Sequence, residues 1–144
     1  MSHRLIRDVI AGRKAYTTSS HTSIADAARL MKQHAIGALM VVDEGELVGI
    51  FTERDVVFRV IAADKDPKST RVASAMTPKP RALDASRPLG HALHLMYEGG
   101  FRHVPVIEDG KPIGMVSARD ALGPELQAFE SELVHRDHIR EILA

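Results

Sequence analysis

The sequence contains no cysteine, which excludes a disulfide framework, a thiolate metal site and a cysteine nucleophile together. Net charge is absent as well. The 19 lysines and arginines balance 19 aspartates and glutamates, so nothing draws the chain over long range to nucleic acid or an anionic membrane, and any anion site must be local. No apolar run approaches the ~20 residues that cross a bilayer. The opening stretch "MSHRLIRDVIAGRK" is interrupted by charge every few residues, and the chain reads as cytoplasmic.

Familiar catalytic and phosphate signatures are missing too. "AGRKAY" and "EGGFRH" set glycine beside cations without completing a Walker loop or a GxGxxG loop, and both read as turns. His91 and His94 are three apart on one predicted helix, and His135 and His138 on another. Neither pair has the glutamate of HExxH, so exposed or interface histidines are expected rather than a metal site. Ser19, Ser20 and His21 are adjacent, yet no acid completes a triad with them. The basic clusters Arg13-Lys14 and Lys79 to Arg81 read as solvated surface, available to a phosphate only if the fold carries them to a cleft. With base, nucleophile and metal all unassigned, an enzyme is the least supported class.

What the chain does have is a duplication. "GIFTERD" (49–55) returns as "GMVSARD" (114–120) at an offset of 65 residues, 114 − 49. At that offset Val41 meets Val106, Gly45 meets Gly110, Thr52 meets Ser117, Arg54 meets Arg119 and Asp55 meets Asp120. Upstream, Ile24, Ala27, Ala28 and Met31 fall on Leu89, Ala92, Leu93 and Met96 without a gap. A chain of 144 residues then reads as two half-sized units that must share a core, because neither buries enough surface alone.

Each copy predicts the same elements. A helical stripe at 24, 27, 28 and 31, capped by Thr22 or Ser23, is followed by two apolar runs around an acidic, glycine-containing turn: a β-hairpin with a four- or five-residue loop. A second helix follows "TERD", and a short leading strand is expected near "AYTT" and "PRAL". The expected divisions are a first repeat at 7–66, a linker at 67–76, a second repeat at 77–124 and a terminal helix at 125–144. That last helix carries Leu126, Phe129, Leu133, Ile139 and Leu143 at roughly helical spacing and needs a partner surface.

"TERD" and "SARD" admit two readings. A hydroxyl followed three residues later by an acid is a helix capping box. The same junction collects exposed N–H groups, a helix N-terminus, a hydroxyl and an arginine, which suit a phosphate. The carboxylate at 55 or 120 could then accept both hydroxyls of a ribose. Gly49 and Gly114 either let a ligand approach closely or mark a bend or bulge.

Taken together, "GALMVVDEGELVGIFTERD", "MTPKPRAL" and "GFRHVPVIEDGKPIGMVSARD" resemble a tandem pair of cystathionine-β-synthase (CBS) domains, the Bateman module, from about Arg7 to Leu122. The resemblance implies an α+β fold of two β-α-β-β-α repeats packed with pseudo-twofold symmetry, plus terminal helices, with clefts between them for adenosine-containing ligands: AMP, ATP, S-adenosylmethionine or NAD(H). It implies that Asp55 and Asp120 hold ribose hydroxyls, that Thr52 and Ser117 meet phosphate or ribose, and that Ile50 and Met115 flank the ligand. Ile36 and Phe101 would line the adenine slots, with backbone near Tyr16 and Arg81. Arg54, Arg102, His103 and Arg119 would meet phosphate, and Gly37, the first-copy counterpart of Arg102, makes the sites unequal.

The functional expectation is a non-enzymatic regulatory module that senses an adenine nucleotide, forms a homodimer and acts on a partner protein, with no catalytic cofactor, nucleic acid or membrane involved. The rival is a structural, dimeric interaction scaffold with degenerate clefts.

Overall fold

The computed structural model of the protein describes residues 4–143, without the side chains of residues 124–127, 129 and 130. Its elements follow the duplication. In the first repeat, α2 (Ile24–His34) precedes the antiparallel hairpin β2 (Ala38–Asp43) and β3 (Glu46–Thr52). The second repeat answers with α4 (Leu89–Gly99), β6 (His103–Glu108) and β7 (Lys111–Ser117). Short leading strands, β1 (Thr17–Thr18) and β5 (Leu83–Asp84), lie parallel to β2 and β6. A further strand, β4 (Thr77–Pro78), adds antiparallel to β3, giving sheets ordered β1-β2-β3-β4 and β5-β6-β7.

The hairpin loops are shorter than expected. Asp43 pairs with Glu46 and Glu108 with Lys111, which leaves only Glu44-Gly45 and Asp109-Gly110 as loops. All four of those residues have positive φ, between 51° and 79°, the type I′ geometry whose twist matches the strands it joins. Asp43, Glu46 and Glu108, read as loop, are already in the ladder.

Each hairpin also bulges at the same place. Val41 faces Gly49 but Val42 faces Leu47, and Val106 faces Gly114 but Ile107 faces Pro112; Val48 and Ile113 are the extra residues. The glycines beside these bulges have a second task. A Cβ on Gly49 would stand 2.4 Å from Met76 Sδ and 3.1 Å from the Thr77 carbonyl oxygen, and one on Gly114 would stand 3.1 Å from Ile10 Cδ1. The close approach they permit is that of the chain itself.

The segments that cross there come from the sequence preceding each repeat. Helix α1 (Ile6–Ile10) buries Ile6 and Ile10 among Leu89, Met96, Val104 and Val116 of the second repeat. Residues 72–76 bury Val72 and Ala75 among Ile24, Met31, Leu39 and Phe51 of the first. Backbone bonds repeat the exchange: Leu89 N–H donates to the Arg4 carbonyl at 2.7 Å and Ile24 N–H to that of Thr70 at 3.0 Å. The expected linker, 67–76, therefore ends inside a core, with Val72 and Ala75 buried.

After β3, α3 (Glu53–Asp55) runs into a π-helical stretch, Val56–Ile61, that leaves Val57, Phe58 and Ile61 more than half exposed. The second copy has only a 3₁₀ turn, Ala118–Ala121, before α5 (Pro124–Leu143). On α5, Leu133, Val134, Ile139, Ile142 and Leu143 are exposed; the side chains of Leu126 and Phe129, which complete the expected stripe, lie outside the described residues. No described helix is long and apolar enough to cross a membrane.

Helix α2 starts where Ser23 Oγ accepts from Asp26 N–H at 3.1 Å. It stops at Ala35, which takes the left-handed conformation (φ 51°, ψ 47°). Ile36 N–H then reaches the Met31 carbonyl at 3.0 Å and Ala35 N–H that of Lys32 at 3.3 Å, a Schellman motif. The corresponding residue of the second repeat is Gly100, φ 70°, which has no Cβ to strain. Ala35→Gly is therefore expected to stabilise the protein by about 0.5–1 kcal/mol, read as a higher urea midpoint at unchanged m-value. An unchanged or lower midpoint would show that the left-handed turn carries no strain.

Candidate ligand cleft

Between the repeats lies an open cleft of ≈ 1300 Å³. Four pairs of its lining residues are related by the repeat offset of 65: Gly37 and Arg102, Ala38 and His103, Glu53 and Ala118, Val57 and Leu122. The cleft thus straddles the pseudo-twofold relation. Its lining includes the apolar and aromatic side chains of Tyr16, Met31, Ile36, Met40 and Met115. Tyr16 is held by the ring of His34, centroid to centroid 4.3 Å, and by Lys14 Nζ at 5.9 Å from its ring centre. The lining also includes Arg13, Lys14, Lys32, Arg102 and Arg119, with Glu53 as its single lining carboxylate. Even with Arg13 paired to Asp120, cations outnumber acids there in a chain with no net charge, a local field for anions.

Of the residues expected at a ligand, Tyr16, Ile36, Gly37, Arg102, His103, Met115, Ser117 and Arg119 line this cleft. Asp120 joins it through Arg13. The two guanidinium nitrogens of Arg13 donate to Asp120, Nη2 to Oδ1 at 2.6 Å and Nη1 to Oδ2 at 3.1 Å, while Ser117 N–H donates to Oδ2 at 2.8 Å. Arg4 Nη2 donates to the Asp120 carbonyl at 2.9 Å. Burial opposes ionisation of Asp120, but the hydrogen bonds from Arg13 and Ser117 and the charges of Arg13 and Arg4 outweigh it and hold the carboxyl below its ordinary range.

The first-repeat aspartate is placed differently. Asp55 Oδ2 accepts from Thr52 N–H at 2.9 Å and Thr52 Oγ1 at 3.1 Å, Thr52 Oγ1 accepts from Asp55 N–H at 3.2 Å, and Arg59 Nε stands 3.6 Å from Oδ1. Buried at 7% exposure, it forms a capping box with Thr52, as Asp120 does with Ser117, but neither Asp55 nor Thr52 lines the cleft. Nor do the other four. Ile50 is buried in β3, Arg54 stacks over the Phe58 ring at 5.4 Å, Arg81 is exposed, and Phe101 packs on the second core.

Arg13 and Lys14, read from sequence as solvated surface, line the cleft, and so do Lys32 and Glu53, which sequence reasoning passed over. Lys79 and Arg81 do not line it. A signal for Lys32 was available, since it follows the buried Met31 on α2 and precedes the turn into β2. Elsewhere, Ser20 N–H and Oγ donate to Asp43 at 3.0 and 2.5 Å, while the His21 ring lies 3.3 Å from Arg71. Those serine hydroxyls meet a carboxylate rather than a histidine base.

The family model for the CBS domain matches twice, over residues 6–62 and 72–123. The chain belongs to the CBS domain family. Among relatives, YlbB of Bacillus subtilis is 39% identical over 117 residues, 80% of this chain and 78% of that protein. The crystal structure of the CBS-domain containing protein ATU1752 from Agrobacterium tumefaciens superimposes with a TM-score of 0.75 at 34% identity, covering 82% of this chain and 96% of that one. The CBS domain pair of protein MJ0100, crystallised in complex with 5′-methylthioadenosine and S-adenosyl-L-methionine, has a TM-score of 0.76 at 28% identity, covering 91% and 99%. Other relatives are much longer, and the chain spans 14% of the Schizosaccharomyces pombe meiotically up-regulated gene 70 protein. The expected α+β pair of CBS repeats is the fold observed, and a CBS pair is a regulatory module.

His103 supplies the cleft's pH dependence. Burial disfavours its imidazolium and Arg102 adds to that effect, while Glu53 and Asp120 oppose it; the net result is a value below the ordinary one. The unfolded chain then binds the proton more readily, so this contribution is present above the ordinary histidine value of ~6.5 and is lost as pH falls through the lower folded value. The urea midpoint should fall between pH 7 and pH 5 more steeply in the natural protein than in His103→Gln. Equal slopes would mean that His103 titrates as it does in the unfolded chain.

Proposed function

We propose that this CBS pair is a non-enzymatic sensor that binds an adenosine-containing nucleotide in the cleft and alters the state of a partner protein. The cleft itself carries the reading: its lining combines apolar side chains able to receive a base with cations able to receive phosphate, and both repeats contribute. The adenosine compounds bound by the MJ0100 pair support the ligand class. In this reading Tyr16, Ile36 and Met115 flank adenine, Ser117 and Asp120 take the ribose, and Arg102, His103 and Arg119 meet phosphate. A site organised by Asp55, with Ile50, Thr52, Arg54, Arg81 and Phe101, would be the weaker, because none of these residues lines the cleft. Ligand shifts the angle between repeats only as far as it binds one arrangement better than another.

The exposed apolar residues Val57, Phe58 and Ile61, and those exposed on α5, suit a homodimer and a docking surface, since large apolar side chains left in water favour burial against a partner. Phe58→Asp combined with Ile61→Asp should convert a dimer to a monomer in sedimentation equilibrium. A mass unchanged from the natural protein's would place the contact elsewhere.

The nucleotide reading is tested by thermal melting with AMP, ATP, NADH, NAD and S-adenosylmethionine. A ligand at 100 times its Kd stabilises by ~2.7 kcal/mol, a rise of several degrees for a chain of this size. Asp120→Ala should abolish that rise. Asp55→Ala should keep it while costing about 1 kcal/mol as a lost cap. If no compound moves the melting point, the scaffold reading replaces the sensor.

A further inference from the structure

The bidentate pair between Arg13 and Asp120 lies where a ribose diol would have to bind. A carboxylate offers about four lone-pair sites, and here three are filled, two of them by Arg13 and one by Ser117 N–H. Asp120 cannot hold a diol in this arrangement. Ser117 N–H belongs to the turn that positions the carboxylate and is not readily displaced. Arg13 is the partner that can leave: its side chain is 46% exposed, against 9% for Asp120.

Its backbone need not follow. Arg13 N–H donates to the Ile10 carbonyl at 2.9 Å, fixing the residue to the end of α1, whose Ile6 and Ile10 are buried in the second core. The guanidinium can swing about an anchored Cα, and the cleft it lines also holds Lys14, Arg102 and Arg119. Released from Asp120, it becomes one more cation for whatever displaced it. Asp55 has no equivalent device, since its arginine, Arg59, sits four residues along the same helix and is 3.6 Å away.

We propose that Arg13 determines the cleft's specificity by exchange: a ribose takes Asp120 from it, and the freed guanidinium pairs with the phosphate of the same ligand. This rests on the reading of the cleft as an adenosine-nucleotide site. A neutral nucleoside must break the Arg13–Asp120 pair with nothing to offer the arginine. A nucleotide replaces a carboxylate by a phosphate, which a guanidinium also grips in bidentate fashion. Arg13 therefore penalises adenosine and rewards ATP.

Calorimetric titration of the full chain with ATP and with adenosine tests the exchange, in the natural protein, Arg13→Ala, Arg13→Gln and Lys14→Ala. Removing Arg13 should tighten adenosine while weakening ATP, so that the ratio of their Kd values falls about tenfold or more, the scale of one charge-assisted hydrogen bond. Lys14→Ala removes a lining cation that does not touch Asp120; it should weaken ATP and, because Lys14 also lies over the Tyr16 ring, should not tighten adenosine. Arg13→Gln keeps a polar side chain at the crossing and should show the same tightening of adenosine and weakening of ATP, so the test stands even if Arg13→Ala unfolds. An adenosine Kd unmoved or raised in both Arg13 variants overturns the exchange, leaving Arg13 as mere positive charge. A Lys14 variant that also tightens adenosine overturns it as well. If neither ATP nor adenosine binds the natural protein, the nucleotide reading itself fails, an outcome distinct from binding with unaltered selectivity.

Discussion

The reciprocal burial of two short segments holds this molecule together. Ile6 and Ile10 close the core of the second repeat, and Val72 and Ala75 close that of the first. A unit of this size cannot retire enough apolar surface by itself, and each borrows the missing layer from the chain that precedes the other copy. The duplicated glycines follow from this. Gly49 and Gly114 have no Cβ because the borrowed segments pass directly over their strands. The repeats are therefore not beads joined by a tether, and an angle imposed on one is felt by the core of the other.

The crossing also sets up the site. Helix α1 leaves the second core at Ile10, and within three residues Arg13 reaches Asp120 from outside the repeat that owns the aspartate. The two copies are consequently unequal at the position where their sequences agree best. Asp55 and Asp120 each accept the N–H of the hydroxyl residue three positions earlier. The former is then sealed by its own helix, while the latter is held by a partially exposed side chain from a distant segment. The same asymmetry appears in the following helices, a π-helical stretch in one copy and a single 3₁₀ turn in the other.

Charge is organised at the same scale. With no net charge to exploit, the fold gathers cations from four separate stretches, around Arg13, Lys32, Arg102 and Arg119, into one cleft that also carries apolar side chains. Burial disfavours the charged form of His103 and lowers its pKa. The selectivity available to such a surface depends on which cations already have partners, and Arg13 has the one partner that a ribose would also seek.

Much of this architecture was legible in the residues. The fixed offset, the helical stripe at Ile24, Ala27 and Met31, the turn glycines at 45 and 110 and the "TERD" and "SARD" phrases determine two equivalent units of known element order, because each rests on local periodicity or capping. Loop length was misjudged where hydrogen-bond register, not composition, decides which acidic residues are strand. What only the tertiary structure decided is how nonlocal segments meet: that Val72 enters the first core, that Arg13 is bound to Asp120 across 107 residues of sequence, and that the two aspartates differ. Periodicity reports which face of an element is buried, but not against what, and a cation's partner is chosen by the packing that brings distant chain together.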